Sequence, residues 1–363
     1  MRKIIVSPGE YIQGAGELGK LAGYYSQLGS KKAYLIVDRF ILDKYRATIT
    51  GSFDEKNIPY DIEPFGGECS KAEIDAHGKK LQGADAVIGI GGGKTLDTAK
   101  AVGFYANLPA IIVPTAASND APCSRLSVVY KENGEFDFYL MLKKNPDMVI
   151  MDTEVIANAP PRFLAAGIGD ALATFYEASA AIRSNALTMT GGHSTQTAAA
   201  LARLCLDTLF KDGVKAMKAV ECKTCTHALE NVIEANTYLS GIGFESCGLA
   251  AAHAIHNGMT KLEETHKLLH GEKVAFGTLT QLVLENYSID EIKKVIKLCR
   301  TVGLPTCFKD LGIEGVTDER LLEVARLSCD RNDTMCNMPF DVTPEDVVAA
   351  MKVADNMGRS EMD

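Results

Sequence analysis

The sequence contains no tryptophan, and only 7% of its 363 residues are aromatic. It also has no apolar stretch long enough to cross a bilayer, and the run Ile4, Ile5 and Val6 is too short for the core of a signal peptide. Basic residues are outnumbered 38 to 47, which leaves a net charge of -9. Because a nucleic acid or an anionic membrane requires a basic face, we expect neither as a partner and favour a small-molecule ligand.

Cysteines are more numerous than in a typical chain, but their placement does not suggest a disulfide framework. Ten are scattered through a long sequence in which 46% of residues are hydrophobic. Such a chain can bury a core without covalent cross-links, so we expect free thiols and a reducing, cytoplasmic location. The length favours two domains over one.

The first half of the chain alternates short apolar runs with amphipathic helical patterns, which is typical of a doubly wound parallel sheet. Apolar, β-branched runs predict buried strands at 33–37, 86–90 and 110–113, and helical spacing occupies 41–56 and 71–83. A hairpin is predicted between residues 126–130 and 136–142, with its turn at Asn133-Gly134. In a parallel sheet, ligands bind at the carboxyl ends of the strands.

A glycine-rich turn follows the second predicted strand. Gly91, Gly92, Gly93, Lys94 and Thr95 lead into a helical pattern, an arrangement that lets backbone N–H groups approach a phosphate. The spacing is one residue too short for a Walker loop, and position 94 lacks the glycine or alanine of the dinucleotide fingerprint. The remaining interpretations are a variant pyrophosphate loop or a structural tight turn.

Two further features bear on a nucleotide. Asp38 ends the first strand, where a carboxylate would accept ribose hydroxyls and repel a 2′-phosphate, favouring NAD over NADP. Alternatively, Asp38 only caps the next helix. The second feature is the segment PTAASNDAPCSRLSVVY after the third strand, which supplies small polar side chains and the charged Asp120 at a strand end. A polar turn at Asn119-Asp120 is the structural alternative.

The second half is dominated by helical periodicity, and Pro160-Pro161 marks the predicted boundary between domains. Helices are predicted at 188–210, 226–240, 244–260, 267–285, 289–301, 317–328 and 343–357. Asp170 is predicted to follow a glycine turn and to open a helix. Its local interpretations are a first-turn acid favoured by the helix dipole or a functional carboxylate.

Four of the seven histidines lie within residues 248–271. His253 and His256 are three residues apart, His266 and His270 are four apart, and either spacing places two rings on one helix face. Zinc and iron sites with an open position often combine two histidines with one carboxylate. Buried histidines bonded to backbone carbonyls are the alternative, and spacing alone does not decide which rings could bind a metal.

Five motifs carry a resemblance that covers nearly the whole chain: GGGKTLDTAKA, PTAASNDAPCS, GIGDALATFYEA, GLAAAHAIHNG and HGEKVAFGTL. In order and spacing they resemble the glycerol dehydrogenase branch of the iron-containing alcohol dehydrogenase superfamily. The resemblance implies a dehydroquinate synthase-like architecture, with a Rossmann-like α/β NAD-binding domain at 1–160 and an all-α domain at 161–363. Metal and substrate would lie in the cleft between them.

The resemblance also assigns roles to residues. The metal ligands would be Asp170, His253 and His270, while His266 would be a bystander. Asp120 would bind a polyol hydroxyl, and His256 would face the substrate and the nicotinamide. The NAD site would comprise Asp38, Gly92, Gly93, Lys94, Thr115, Ser118, Ser124, Leu126 and Tyr130. The sequence departs from the family pattern at Asn119, where many relatives have threonine, and at Tyr176, where tryptophan is usual.

The activity implied is metal-dependent hydride transfer from glycerol to NAD, giving dihydroxyacetone. Zinc is favoured because the resemblance is to a zinc-using branch, although the ligand set would also accept Fe²⁺. Alternatives are a dehydrogenase or reductase of another 1,2-diol or hydroxyketone, a phosphopolyol dehydrogenase, and a non-catalytic nucleotide-binding protein. Family members are commonly octamers, so a homo-oligomer is expected.

Overall fold

The computed structural model describes residues 1–360 and contains a six-stranded, all-parallel sheet. The strand order is β1-β8-β5-β4-β2-β3. These strands are β1 (Glu10–Gly14), β2 (Ala33–Val37), β3 (Tyr60–Pro64), β4 (Ala86–Gly91), β5 (Ala110–Pro114) and β8 (Met148–Asp152). The predicted hairpin is present as a separate antiparallel pair, β6 (Leu126–Tyr130) and β7 (Phe136–Met141).

Helices connect four of the five consecutive pairs of parallel strands, as parallel pairing requires a crossover. They are α1 (Leu21–Tyr25), α2 (Arg39–Glu55), α3 (Lys71–Lys80) and α4 (Gly93–Ala106), whereas the hairpin lies between β5 and β8 and α5 (Thr153–Ala157) follows β8. The central strands β2, β4, β5 and β8 are buried along their whole length. This burial explains their continuous apolar sequences, because helices or other elements cover both faces of a parallel sheet.

The two faces of the sheet belong to different cores. Along β4, Ile88 joins the core formed with α1 and α2, whereas its neighbour Val87 joins a larger core. That larger core continues into the second half of the chain, where it includes Ile168 and Tyr176. The alternation of side chains along a strand therefore fastens the sheet to the helical region.

Residues beyond the sheet are helical, which confirms the predicted fold class. The helices are α6 (Pro161–Arg183), α7 (Gln196–Glu221), α8 (His227–Glu234), α9 (Ser240–Cys247), α10 (Ala251–Met259), α11 (His270–Leu284), α12 (Ile289–Val302), α13 (Phe308–Leu311), α14 (Asp318–Ser328) and α15 (Pro344–Arg359). A π-helical turn, Ala235–Leu239, joins α8 to α9. The domain boundary near residue 160 stays a prediction, although Pro161 begins α6.

The prediction that Asp170 opens a helix is wrong, because it lies in the middle of α6. The glycines before it allow close packing and do not form a turn. A Cβ on Gly167 would lie 1.9 Å from the carbonyl oxygen of Ala117, and one on Gly169 would lie 2.3 Å from that of Gly271. These glycines let the backbones that surround the candidate site approach one another closely.

Two other predicted helices differ from the structure by more than a few residues. Residues 188–195 are not helical, and α7 begins after Thr195, whose side chain accepts a hydrogen bond from the amide of Ala198. The predicted helix at 244–260 is two helices, because Gly248 adopts a φ of 104° and ends α9. That backbone conformation favours glycine.

Three strands were not predicted. β1 and β3 are the sheet's edges and carry partly exposed, mixed polar and apolar side chains, so they lack the apolar signal of a buried strand. The third, β8, is fully buried.

Within residues 1–360, no helix is both long and apolar enough to span a membrane.

Candidate active site

The predicted metal ligands converge from three helices. Asp170 lies in α6, His253 in α10 and His270 at the start of α11, and one potential ligand atom from each lies within 4.8 Å of the others. Asp170 Oδ1 is 3.4 Å from His253 Nε2 and 3.1 Å from His270 Nε2. The side chain of His270 is 41% exposed, so the cluster opens toward solvent.

Asp170 Oδ1 is the central atom of this group. It is buried and has no hydrogen-bond partner among the described residues, although the two ring nitrogens are close. Its other oxygen accepts a hydrogen bond of 3.2 Å from the amide of Asp120. A buried carboxylate oxygen without a donor is costly, so a partner of another kind, such as a cation, would complete the arrangement.

The hydrogen-bond pattern of His253 identifies which nitrogen carries its proton. Nδ1 lies 2.6 Å from Glu177 Oε2, and a carboxylate oxygen can only accept, so Nδ1 carries the hydrogen. Although burial opposes it, Glu177 and Asp170 raise the pKa of His253 well above its usual range, so the ring is protonated before a cation binds. A cation would displace the hydrogen on Nε2, the nitrogen that faces Asp170.

His270 is oriented by a longer chain. Asn257 Nδ2 donates to Asp333 Oδ2 at 2.9 Å, which directs Asn257 Oδ1 to His256 Nδ1 at 3.0 Å. With Nδ1 of a neutral His256 donating, its Nε2 accepts from His270 Nδ1, 3.0 Å away. Nε2 of His270, which faces Asp170, is therefore the nitrogen left to bind a cation. His256 is buried behind His270, and burial, reinforced by His270, lowers the pKa of His256 well below its usual range.

The neighbouring carboxyl groups of Asp120 and Asp170 differ in protonation state. Burial raises the pKa of both groups, but the imidazoles of His270 and His253 hold that of Asp170 well below its usual range. Burial and the nearby Asp170 raise the pKa of Asp120 well above its usual range. Before any cation binds, Asp170 is therefore ionised and Asp120 keeps its proton.

Asp120 lies in the segment after β5, where a hydroxyl pair from the helical region holds it. Its Oδ2 accepts a hydrogen bond of 2.7 Å from Ser240 Oγ, which is 2.6 Å from Thr174 Oγ1. The π-helical turn directly before α9 contributes to this placement, because Asn236 donates to the carbonyl oxygen of Ala117 at 3.0 Å. A turn of this kind is frequent at functional sites.

The glycine-rich turn forms the N-terminus of α4, as a phosphate-binding role would require. Gly91 has a φ of 153°, and a Cβ there would lie 2.9 Å from that of Asp38. A cleft of about 350 Å³ is lined by Asp38, Arg39, Phe65, Gly66, Gly67, Gly92, Gly93, Lys94 and Thr95. Asp38 also caps α2 by accepting from the amide of Ile41. Capping and ribose binding are therefore compatible at Asp38.

The predicted NAD residues from Thr115 onward do not line this cleft, and they differ in exposure. Thr115 is nearly buried, and Ser118, Leu126 and Tyr130 are partly exposed. Lys94 is 2.6 Å from Glu68 Oε2 and lies over the ring of Tyr130. Ser124 differs from these residues, because it is fully buried and its hydroxyl donates to the carbonyl oxygen of Ala121.

Several contacts were not foreseen from the sequence. Glu177 lies within the motif GIGDALATFYEA, but neither Glu177 nor Ser240 was assigned a role, and both contact predicted site residues. His266 lies apart from the three-residue cluster, with Nε2 2.9 Å from the carbonyl oxygen of Thr260. Tyr176 is fully buried and donates to Glu291, so its departure from the family pattern falls in the core.

Comparison with known proteins identifies the family. The glycerol dehydrogenase of Escherichia coli O6:H1 is 52% identical over 99% of this chain and 98% of its own length. This chain belongs to the iron-containing alcohol dehydrogenase family. Residues 8–153 match the family described as "Iron-containing alcohol dehydrogenase". The resemblance inferred from the five motifs is thereby confirmed.

Two further relatives extend the comparison. The crystal structure of glycerol dehydrogenase from Schizosaccharomyces pombe has a TM-score of 0.96 at 40% identity, covering 99% of this chain and 91% of that one. A glycolaldehyde reductase of Halobacterium salinarum is 44% identical over 99% of both chains. The same fold and a similar sequence therefore occur in proteins named for two different substrates.

Proposed function

We propose that this protein is an NAD-dependent glycerol dehydrogenase that oxidises glycerol to dihydroxyacetone with a divalent cation held by Asp170, His253 and His270. The observation that carries the proposal is the convergence of one buried carboxylate oxygen and the Nε2 atoms of two imidazoles. Full-length relatives at about half identity support the substrate.

Two of the three separations between the ligand atoms suit a zinc ion. Ligands about 2.1 Å from a zinc ion lie roughly 3.4 Å apart, close to the separations of 3.4 and 3.1 Å between Asp170 Oδ1 and the two Nε2 atoms. A bound cation would satisfy Asp170 Oδ1 and would supply Lewis acidity that lowers the pKa of the substrate's secondary hydroxyl. We favour zinc over Fe²⁺, although this donor set suits both metals.

The remaining residues position the polyol and the nucleotide. Asp120, held by Ser240, is suited to hydrogen-bond a second hydroxyl of glycerol, either as donor or as acceptor. In this proposal the N-terminus of α4 binds the pyrophosphate of NAD, and Asp38 binds the adenosine ribose. His256 then supports His270 from behind and borders the substrate region.

A metal-exchange assay tests the proposal. We expect the purified protein to contain a divalent cation and to form NADH with glycerol, to lose activity on chelation, and to regain it with zinc. Glycerol, 1,2-propanediol and glycerol 1-phosphate should be compared at each stage. Activity that survives complete metal removal would overturn the metal's role, and much faster turnover of another diol would overturn the choice of substrate.

Cofactor preference can be tested at Asp38 without losing the helix cap. Serine also caps helices well, so Asp38→Ser should leave thermal stability nearly unchanged while removing the charge that repels a 2′-phosphate. The ratio of kcat/KM for NAD to that for NADP should fall by about tenfold or more, since a hydrogen bond to a charged group is worth about 1.5–3 kcal/mol and about 1.4 kcal/mol is a tenfold change. An unchanged ratio would mean that Asp38 serves only as a cap.

The glycolaldehyde reductase relative favours a second candidate, reduction of a small hydroxyaldehyde or hydroxyketone on the same site. Comparing the rates of NADH consumption with glycolaldehyde and with dihydroxyacetone distinguishes this second candidate from the glycerol–dihydroxyacetone reaction. A phosphorylated substrate is disfavoured because three carboxyls, those of Asp120, Asp170 and Glu177, are buried around the cluster.

Assembly as a homo-oligomer, an octamer by family resemblance, stays a prediction that sedimentation analysis can test. The cytoplasmic location likewise stays a prediction.

A further inference from the structure

Glu177 is a fully buried carboxylate to which the proposed reaction assigns no role. It lies two turns after Asp170 on α6 and has no exposed surface. A glutamate side chain is rarely buried without a strong reason, because removing its charge from water is costly. The reason lies in the contacts that its two oxygens make.

Both oxygens of Glu177 are directed at α10. Oε1 accepts hydrogen bonds of 2.9 Å from the amides of Ala250 and His253, where the first turn of a helix leaves amides without partners. Oε2 accepts from Nδ1 of His253 at 2.6 Å. One carboxylate therefore holds both the backbone and the ring of the same candidate ligand.

We propose that Glu177 is the positioning residue that fixes His253 for metal binding, an inference that rests on the proposed metal site. By accepting the Nδ1 hydrogen, Glu177 keeps the Nε2 lone pair directed at the cation. The negative charge of Glu177 also makes Nε2 of the His253 ring a stronger electron-pair donor to the cation. Together, Glu177 and Asp170 balance the charge of a divalent cation. Partners of this kind behind a metal-bound histidine commonly change metal affinity by about 10- to 100-fold.

The substitution Glu177→Gln separates these effects from helix capping. The glutamine carbonyl can still accept from the amides of Ala250 and His253, but its NH₂ group then lies opposite Nδ1. The substitution removes the negative charge of residue 177. It also favours a tautomer or a flipped orientation of the His253 ring in which no Nε2 lone pair faces the cation. Glu245→Gln is the matched control, because Glu245 is also buried, in α9, but it contacts Arg125 and Asn145 and none of the three ligands.

Zinc affinity of the metal-free proteins, measured by competition with a chromogenic chelator, tests the proposal. We expect Glu177→Gln to bind zinc about 10- to 100-fold more weakly than wild type, and Glu245→Gln to bind within about twofold of wild type. The visible spectrum of the cobalt-loaded protein, which reports ligand geometry, should change only for Glu177→Gln. Glu177→Asp, which keeps the charge, should restore part of the affinity.

Three results would overturn the proposal, namely wild-type zinc affinity in Glu177→Gln, equal losses in both glutamine variants, or no recovery in Glu177→Asp. If Glu177→Gln does not fold, Glu177→Asp decides alone. Its carboxylate is set back by one methylene from the amides and Nδ1, so positioning predicts a weaker affinity than wild type, and wild-type affinity with a wild-type cobalt spectrum would overturn the proposal. Failure of wild type itself to bind zinc or cobalt would instead refute the metal site on which the inference rests.

Discussion

Replacing His270 by alanine should abolish metal retention and lower kcat/KM for glycerol by about 10³-fold or more. The estimate follows because the Lewis acidity of a bound cation is worth several kcal/mol, and about 1.4 kcal/mol corresponds to a tenfold change in rate. Two ligands, Asp170 and His253, would remain, which is too few for a stable catalytic site. Metal content per subunit and steady-state NADH formation measure the two effects.

His266→Ala is the matched control for this experiment. It removes an imidazole only four residues away, from a side chain that contacts the carbonyl oxygen of Thr260 and lies outside the cluster. Metal content and kcat/KM should stay within about twofold of wild type, as for most exposed substitutions. If both variants lost metal equally, or if His270→Ala retained it, the assignment of His270 would be wrong.

Gly167→Ala should destabilise the protein by about 3 kcal/mol and raise the KM for glycerol. The new Cβ would lie 1.9 Å from the carbonyl oxygen of Ala117 and 2.4 Å from Asn236 Nδ2. The first of these atoms is backbone, so α6 and the segment after β5 must separate. Asp120 lies three residues further along that segment and would be displaced. Urea denaturation and glycerol saturation curves measure the two effects.

Gly78→Ala provides the opposite expectation in a similar setting. Gly78 also lies inside a helix, but it is exposed and a Cβ there would have no neighbour within 4 Å. Alanine should therefore stabilise the protein by about 0.5–1 kcal/mol. Equal effects of the two substitutions would show that helix propensity, and not the close contact with Ala117, governs Gly167.

Most of the predictable elements carry a strong local signal, although the buried strand β8 was missed despite its apolar run. Buried strands such as β4 have continuous apolar sequences, and helices such as α12 and α15 have regular apolar spacing between capping residues. The edge strands β1 and β3 escaped because a half-exposed strand has no such run. Gly167 and Gly169 were misread because a glycine that permits tertiary contact and one that ends a helix look alike in sequence.

The candidate site was predictable only in part from residue spacing. Helical periodicity identified the stretch containing His253 and His270, but it paired each with a neighbour on its own segment, His256 and His266. The resemblance to the family selected one histidine from each pair, and the structure places those two beside Asp170. Glu177 could not be found this way, because its role depends on α6 packing against α10.

The most direct test of the central claim is anomalous diffraction at the zinc absorption edge from crystals of the zinc-loaded protein. We predict a peak that lies within about 2.0–2.2 Å of Asp170 Oδ1, His253 Nε2 and His270 Nε2. A peak elsewhere, or none in crystals whose protein forms NADH from glycerol, would contradict the claim that these three residues hold the catalytic cation.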